Sequence, residues 1–341
     1  MERTTQVIGQ SGAFLDALER ASRAAALDRP VLVIGERGTG KELVAERLHR
    51  LSPRWDQPLV VMNCAALPET LIEAELFGHE AGAFTGATKA RTGRFEEADG
   101  GTLFLDELGT LSMGAQERLL RAVEYGEVTR IGASRPIRVD VRIVAATNEH
   151  LPERVEKGTF RADLLDRLSF EVVTLPPLRA RRGDVEVLAD FYGRRMAAEI
   201  GRGDWPGWGA NALDTLLHYE WPGNVRELRN VVERAVYRWE REGPIDAIEL
   251  DPFASPYRPR SAAAAAPPVP ASAVPEAPEP PMPVEPGGDF KTRVAAFERQ
   301  LLTRALAEHR FNQRSTAEAL GLTYDQLRHA LKRHELLGAG G

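Results

Sequence analysis

The chain has 341 residues, 43% of them hydrophobic, and a formal net charge of −6 at pH 7. This length predicts more than one domain, and the hydrophobic content suffices for ordinary globular cores. A single cysteine, Cys64, excludes a disulfide framework, and no run approaches the roughly 18 apolar residues of a membrane span. Because the N-terminus also lacks the apolar segment of a signal peptide, we expect a soluble cytoplasmic protein.

The charges are distributed unevenly along the chain. Residues 290–337 contain nine Lys/Arg and five Asp/Glu, a surplus of +4, which leaves the remainder near −10. A basic module on an acidic body indicates a division of labour, although a surplus of this size also arises by chance. Residues 254–289 are rich in Pro and Ala and have no hydrophobic period, which predicts an extended, semi-rigid tether.

Apolar strands alternate with helices in the first half of the chain. The predicted strands cover residues 30–34, 59–62, 101–105 and 141–146. Buried strands separated by helices predict an α/β domain with a parallel sheet. Residues 184–240 are mostly amphipathic helix with Pro/Gly breaks, which predicts a smaller helical subdomain packed on the sheet domain.

A glycine-rich loop follows the first predicted strand and opens a helix. It consists of Gly35, Glu36, Arg37, Gly38, Thr39, Gly40, Lys41 and Glu42. In this context the glycines let backbone N–H groups face phosphate oxygens, and the helix N-terminus favours an anion. Lys41 would reach the β- and γ-phosphates of ATP, whereas Glu42 stands where Ser or Thr usually ligates Mg²⁺. A glycine turn with a solvated lysine is the alternative, which the flanking elements disfavour.

Polar residues end three of the predicted strands. Asp106 and Glu107 follow the third strand, where Asp106 would bind Mg²⁺ and Glu107 would orient and polarise the attacking water. The same pair would also serve as an ordinary helix start with favourable charge. Thr147 and Asn148 end the fourth strand and Asn63 the second, and such side chains either touch a γ-phosphate or cap a turn.

An uncharged loop lies between the glycine-rich loop and the acidic pair. Within GHEAGAFTGATKA, residues 78–90, its tip consists of Gly82, Ala83, Phe84, Thr85, Gly86 and Ala87. The glycines permit a mobile tip, and Phe84 and Thr85 give it a small adhesive end. The alternative is a buried Phe that pins a surface loop. A second segment, residues 130–138, would assist this loop or form a plain β-hairpin.

Five segments together resemble the AAA+ domain of the sigma-54-dependent transcriptional activators, the bacterial enhancer-binding proteins. They read GERGTGKE, GHEAGAFTGA, GRFEEADGGTLFLDE, GTFRADLLDRL and YEWPGNVREL, and the match extends over about residues 8–250. The string GAFTGA is nearly diagnostic, and glutamate at position 42 is the usual form in this family. Within it, the chain is most similar to activators of phage-shock-protein operons, through Arg54-Trp55 and the absence of a domain before the ATPase. The Pro/Ala tether departs from the family pattern.

The resemblance implies a role for each matching residue. It implies a catalytic set of Asp106 and Glu107 (Walker B), Asn63 (the switch residue that holds Glu107 aside), and Arg161 and Arg167 (fingers toward a neighbouring subunit). For nucleotide binding it implies the glycine-rich loop, with Lys41 as the Walker A lysine. Further contacts are implied for Thr147 and Asn148 (sensor I) and for Arg226 (sensor II). Fingers supplied in trans require a ring, so the implied active form is a hexamer. Alternatively, Arg161 and Arg167 pair with Asp163 and Asp166 on one helix surface.

The basic tail has the pattern of a helix-turn-helix. An amphipathic helix over 290–309 precedes a short helix over 313–320, a break at Gly321, and a helix over 323–335. In such motifs the second helix of the pair enters the major groove of DNA. The candidate contacts are Thr323, Tyr324, Gln326, Arg328, His329, Lys332 and Arg333. The tail resembles the Fis-type module of these activators; a helical dimerisation bundle with a solvated basic face is the alternative.

The expected organisation follows from these patterns. It comprises an AAA+ α/β subdomain (1–172), a helical lid subdomain (173–253), a linker (254–289) and an all-α Fis-type helix-turn-helix domain (290–341). The resemblance implies an ATPase that binds enhancer-like DNA and converts the closed complex of sigma-54 RNA polymerase into an open complex, at an operon of the phage-shock type. The alternatives are a DNA-binding regulator that nucleotide switches without hydrolysis, and an AAA+ remodeller of other DNA machinery.

Regulation is expected to come from a separate protein, because no receiver or ligand-binding domain is visible before the ATPase. Trp55 lies between Pro53 and Pro58 and has two interpretations. It either caps the core or forms an exposed patch for a repressor resembling PspA.

Overall fold

The computed structural model describes residues 7–255, 257–258, 289–309, 312–334 and 336. The contacts divide the chain into two units, Met1–Arg258 and Pro259–Gly341. Most of the predicted linker, 254–289, lies outside the described residues. Within the described ranges, no helix is both long enough and apolar enough to cross a membrane.

A five-stranded parallel sheet forms the centre of the first unit. The strands of this unit are β1 (Val31–Ile34), β2 (Leu59–Asn63), β3 (Thr102–Asp106), β4 (Glu127–Val128), β5 (Ile137–Arg138), β6 (Arg142–Thr147) and β7 (Glu171–Thr174). The sheet has the order β2-β3-β6-β1-β7, and β4 pairs with β5 in an antiparallel hairpin. The four predicted strands and their parallel arrangement are confirmed; β7, at the edge, has no counterpart in the prediction.

Helices cover both faces of the sheet. They are α1 (Gly12–Ala25), α2 (Lys41–Arg50), α3 (Glu69–Phe77), α4 (Arg94–Glu97), α5 (Met113–Tyr125), α6 (Leu151–Glu156) and α7 (Ala162–Leu168). Because side chains alternate along a strand, Leu103 and Leu105 pack in one core with α3 and α5, while Phe104 packs in the other with α1 and α2. This double burial fixes the sheet and aligns the carboxyl ends of β1, β2, β3 and β6 along one edge.

Three further helices form the predicted helical subdomain, called the lid below. They are α8 (Asp184–Glu199), α9 (Ala210–His218) and α10 (Asn224–Arg238). Their core surrounds Trp221, which is fully buried and donates its indole N–H to the Leu216 carbonyl at 2.9 Å. The first unit therefore combines an α/β subdomain with a helical one, as predicted.

The described residues of the second unit are helices joined by short turns. The helices are α11 (Phe290–Glu308), α12 (Gln313–Ala319) and α13 (Tyr324–Arg333). Leu327 and Leu331 of α13 pack on α11 and α12, and Gly321 makes the turn with a φ of +64°. Thr323 caps α13, since its hydroxyl accepts from the Gln326 N–H at 3.3 Å. The predicted helix, glycine turn and helix are confirmed.

Candidate functional site

The glycine-rich loop joins β1 to α2 and has backbone geometry that only glycine adopts without strain. Gly40, at the N-cap of α2, has a φ of +99°, and Gly38 has a φ of +78°. A Cβ atom on Gly38 would lie 2.3 Å from the carbonyl oxygen of Gly223 in the lid. The ammonium of Lys41 donates to the carbonyls of Gly35 (3.0 Å) and Glu36 (3.3 Å). The loop therefore holds this ammonium against the carbonyls of its own first two residues.

The predicted phosphate and acidic residues come together around Lys41. Burial lowers the pKa of Lys41, and the nearby charges of Glu107 and Asp106 oppose that shift. Arg226 and Arg37 also act on the pKa of Lys41, in the lowering direction. The glycine-rich loop, the acidic pair and Arg226 of the lid therefore lie close enough to Lys41 to act on its charge.

Asp106 ends β3 directly beside Asn63, since the β2–β3 register pairs these two residues. The Asn63 amide nitrogen lies 3.5 Å from one carboxylate oxygen of Asp106, and the other accepts from the Glu107 N–H at 3.0 Å. The register therefore places the Asn63 side chain against Asp106. That Asn63 holds Glu107 aside in one nucleotide state stays a prediction.

Glu107 has a left-handed backbone, with a φ of +53°. Such a conformation costs a non-glycine residue on the order of 1–3 kcal/mol and clusters at functional sites. With the Asn148 amide oriented to suit its neighbours, its nitrogen donates to Glu107 Oε2 at 2.8 Å and its oxygen accepts from Arg37 Nε at 3.0 Å. Asn148 therefore connects the acidic pair to the glycine-rich loop.

Thr147 has a different role from its neighbour. Its side chain is fully buried, and its hydroxyl accepts from the Glu149 N–H at 3.0 Å. This hydroxyl caps the turn after β6, which is the alternative considered for it from the sequence. Its backbone carbonyl accepts from the Gly35 N–H at 3.2 Å, so Thr147 also supports the start of the glycine-rich loop.

A narrow apolar cavity of about 30 Å³ lies between the N-terminal segment, α2 and the lid. Its lining includes Val7, Ile8, Leu43, Tyr192 and Val225. This apolar slot lies beside the phosphate loop, and its volume is that of one or two water molecules. No sequence signal marks these residues, because they come from segments far apart in the chain and meet only in the folded protein.

Arg161 and Arg167 lie at the surface. One of the two local ion pairs that the sequence offered as an alternative, with Asp163, is present. Arg161 makes a bidentate pair with Asp163 at 3.0 and 2.7 Å. The partner of Arg167 is Glu124 of α5 rather than the expected Asp166. Exposed pairs of this kind contribute little to stability, so both arginines can exchange their partners for another anion.

The GAFTGA loop is anchored at its base and open at its tip. His79 and Arg91 exchange backbone hydrogen bonds of 3.0 and 2.9 Å at the base. At the tip, Gly82 and Gly86 have φ values of +81° and +104°, with no atom within 4 Å of a Cβ placed on either. Phe84 is 40% exposed and tilts against the His79 ring at 5.0 Å. The alternative of a buried, pinning Phe is therefore wrong.

The second segment, 130–138, packs beside the base of this loop. Arg130 donates to both carboxylate oxygens of Glu96, at 2.8 and 2.6 Å, and to Glu80 at 3.0 Å. These two carboxylates raise the pKa of Arg130. The β4–β5 hairpin confirms the hairpin alternative, and the Arg130–Glu80 bond ties it to the GAFTGA loop as well.

Trp55 projects from the surface, 67% exposed. The adjacent Arg54 is held in place by Asp28 (2.6 Å) and Asp140 (2.7 Å). The interpretation that Trp55 caps the core is therefore wrong, and this indole lies on a rigid turn where another molecule can reach it.

The structure divides the candidate DNA contacts of α13 into two groups. Arg328, His329 and Lys332 are exposed, on the surface away from the buried Leu327 and Leu331. The other candidates have internal partners: Thr323 and Gln326 form the helix cap, the Tyr324 hydroxyl donates to Gln313 at 3.4 Å, and Arg333 pairs with Glu298. All seven side chains are exposed, so the two groups differ in their internal partners rather than in accessibility.

Comparison with known proteins agrees with this geometry. Residues 7–174 match the family described as "Sigma-54 interaction domain", 179–266 the "AAA+ ATPase lid domain", and 293–334 the "Bacterial regulatory protein, Fis family". The chain is 51% identical over 337 residues to the Psp operon transcriptional activator of Escherichia coli K12, covering 98% of this chain and 99% of that protein. The chain belongs to the sigma-54-dependent transcriptional activators.

Other members of the family match over most of this chain but are longer. The transcriptional regulatory protein ZraR of Salmonella typhimurium is 52% identical over 74% of this chain, which covers 58% of ZraR. The anaerobic nitric oxide reductase transcription regulator NorR of Escherichia coli SMS-3-5 is 43% identical over 97% of this chain and 63% of NorR. The structure of NtrX from Brucella abortus in complex with ATP matches with a TM-score of 0.67 and 29% identity, over 97% of this chain and 70% of NtrX.

Proposed function

We propose that this protein uses ATP hydrolysis to convert the closed complex of sigma-54 RNA polymerase into an open complex, at a promoter of a phage-shock type operon. The observation that carries the proposal is the combination, in one chain, of a phosphate site around Lys41, Asp106 and Glu107 with an exposed GAFTGA loop. The 51% identity to the Psp operon activator over nearly the whole of both chains supports the type of operon.

The hydrolysis step is assigned to groups around the phosphate loop. Lys41 and the loop amides would hold the β- and γ-phosphates, and Glu107 would orient the attacking water and accept its proton. Carboxylate oxygens are ligands that Mg²⁺ prefers, so Asp106 fits the ion that accompanies ATP and neutralises phosphate charge. Asn148 holds Glu107 beside the loop at 2.8 Å and would release or orient it as the γ-phosphate binds.

A hexameric ring is the proposed active form. In phosphoryl transfer, an arginine supplied by a neighbour stabilises the charge of the transition state and is worth about 10³- to 10⁵-fold in rate. Arg161 and Arg167 are suited to this role because both lie on the surface in weak, exchangeable ion pairs. ATP hydrolysis would then depend on protein concentration, since each site is completed by the next subunit.

The GAFTGA loop is the proposed contact with sigma-54. Its uncharged tip presents Phe84 and Thr85 on two flexible glycines, and Arg130 connects its base to the neighbouring hairpin. A change in the contact between Glu107 and Asn148 would move the GAFTGA loop together with the hairpin. The loop would in this way transmit the nucleotide state to the polymerase. Enhancer-like DNA, bound by the helix-turn-helix, would raise the local concentration of the activator at the promoter.

DNA binding by α13 gives a prediction with a matched control. Lys332→Ala is expected to weaken binding to all DNA sequences by a similar factor. The negative slope of log K against log salt should become less steep by about 1, because one phosphate contact is lost. Arg333→Ala removes the same charge one position along, but Arg333 pairs with Glu298, so a smaller loss is expected. Fluorescence anisotropy at several salt concentrations measures both, and equal slopes for Lys332→Ala and the wild type would contradict the assignment.

Trp55 is the proposed docking point for a repressor of the PspA type. It is exposed next to the fixed Arg54, and the identity to a Psp operon activator supports a regulator of that kind. Purified PspA-type protein should inhibit ATP hydrolysis by the wild type and fail to inhibit the Trp55→Ala variant. Inhibition of both proteins to the same extent would exclude this surface. These partners would place the protein in the cytoplasm.

Reconstituted transcription tests the proposal. The purified protein, ATP and a promoter carrying its operator are combined with polymerase holding sigma-54 or, as a control, sigma-70. Transcripts are expected only with sigma-54. Activity with neither factor, together with measurable ATP hydrolysis, would instead favour an AAA+ remodeller of other DNA machinery. ATP binding without hydrolysis at any protein concentration would favour a nucleotide-switched regulator.

A further inference from the structure

The side chain of Asn224, the first residue of α10, joins the lid to the glycine-rich loop. It is fully buried. Its amide nitrogen donates to Glu36 Oε2 at 3.1 Å and to the Arg37 carbonyl at 3.0 Å, and its amide oxygen accepts from the Leu178 N–H at 2.7 Å. One amide group therefore fixes three chain segments with respect to one another: the phosphate loop, the segment that enters the lid, and the start of α10.

Backbone contacts next to Asn224 reinforce this connection. The Gly38 carbonyl accepts from the N–H groups of Val225 (3.0 Å) and Arg226 (3.4 Å). Arg226 is the predicted sensor arginine, and it lies two residues after Asn224 on the same helical turn. The position of its guanidinium therefore depends on how the first turn of α10 sits on the glycine-rich loop.

An ion pair between Arg179 and Glu36 also joins the lid entry segment to the glycine-rich loop. Arg179 makes two hydrogen bonds to the Glu36 carboxylate, at 2.9 and 2.5 Å. This guanidinium and the Asn224 amide together lower the pKa of Glu36 to about 2, so the carboxylate is charged at neutral pH. Glu36 belongs to the glycine-rich loop, whereas Arg179 and Asn224 belong to the lid and its entry segment.

The backbone around Asn224 is strained. Trp221 and Asn224 have φ values of +54° and +52°, two left-handed non-glycine residues within one turn of chain. Such a backbone is unfavourable for a non-glycine residue and persists only where its surroundings enforce it. The buried indole of Trp221 and the hydrogen bonds of the Asn224 amide supply that enforcement.

We propose that Asn224 is a positioning residue for ATP hydrolysis, which holds the phosphate loop and Arg226 in one rigid arrangement so that a change in one moves the other. The inference rests on the proposed function, since it assigns Asn224 to the same ATPase site. The Asn224 amide nitrogen and oxygen are both engaged by protein groups, so Asn224 acts through the segments that it joins.

Asn224→Gly is the principal test, because glycine keeps the left-handed backbone and removes only the amide. A displaced arginine affects the reaction more than binding, so we expect kcat to fall about 10- to 100-fold while the Kd for ADP changes by less than about threefold. In the Arg226→Ala background the same change should add little, since its effect passes through Arg226. Equal effects of Asn224→Gly in both backgrounds would overturn the proposal, as would a loss confined to nucleotide affinity.

A second pair of variants remains informative if Asn224→Gly does not fold. Asn224→Asp keeps the acceptor for the Leu178 N–H but places a carboxylate against Glu36. It should lower kcat, and Glu36→Gln should restore at least part of that loss by supplying an amide donor in place of the repelling oxygen. No restoration would contradict the proposed contact. Hydrolysis by the wild type is measured alongside the variants. Failure of the proposed function would appear as no hydrolysis by the wild type, whereas failure of this inference leaves wild-type hydrolysis intact.

Discussion

Replacing Glu107 by glutamine is expected to lower kcat for ATP hydrolysis by about 10²- to 10⁴-fold, the usual contribution of a general base, while ATP still binds. The amide has the size of the carboxylate but cannot accept a proton from the attacking water. The groups assigned to the phosphates, Lys41 and the loop amides, are untouched by the substitution. Phosphate release at saturating ATP, together with titration of a fluorescent nucleotide, separates the two effects.

Glu149→Gln is the matched control for this variant. Glu149 lies two residues after Thr147 at the same edge of the sheet, and its carboxylate pairs with Arg154. It is given no part in the reaction, so its kcat should stay close to that of the wild type. If Glu107→Gln keeps the kcat of the wild type, Glu107 has no part in the reaction. If the variant loses nucleotide binding, Glu107 is a structural residue of the site.

Thr85→Ala is expected to abolish promoter opening while ATP hydrolysis survives. Thr85 lies at the exposed tip of the GAFTGA loop, next to the 40% exposed ring of Phe84, and no contact of the phosphate site described above involves it. Removing its hydroxyl and methyl group changes the surface offered to sigma-54 and leaves the catalytic groups unaltered. Permanganate footprinting of the start site and phosphate release, measured on the same preparation, give the two activities.

Thr88→Ala is the control for the loop variant. Thr88 is an exposed threonine immediately after the GAFTGA string, so the substitution makes the same chemical change outside the tip. It should open the promoter much as the wild type does. If Thr85→Ala loses hydrolysis together with opening, the loop is a structural part of the ATPase rather than its output.

The parts of the site that lie within one short motif could be predicted from the sequence. The glycine-rich loop, the Asp106–Glu107 pair after β3, and the helix, glycine turn and helix around Gly321 all depend on neighbouring residues, whose chemistry is readable from type and spacing. A buried strand before a glycine loop and a helix after it also leave few folds to choose from, which is why the parallel sheet could be anticipated.

The contacts between distant segments could not be predicted in this way. Asn224 meets Glu36 across 188 positions, and the apolar slot beside the loop combines residues from the N-terminal segment, α2 and the lid. The partners of Glu107 and Asn63 depend on strand register and on a left-handed backbone that no residue type announces. Strand β7 has only four residues and lies at the sheet edge, so its apolar signal is short.

Open-complex formation with and without hydrolysable ATP is the measurement that tests the central claim most directly. Sigma-54 polymerase, a promoter with its operator and the purified oligomer are incubated with ATP, with a non-hydrolysable analogue, or with no nucleotide, and start-site melting is followed by footprinting. We predict melting with ATP alone. Equal melting in the absence of any nucleoside triphosphate would contradict the account, because the loop would then act on the polymerase without work from the ATPase.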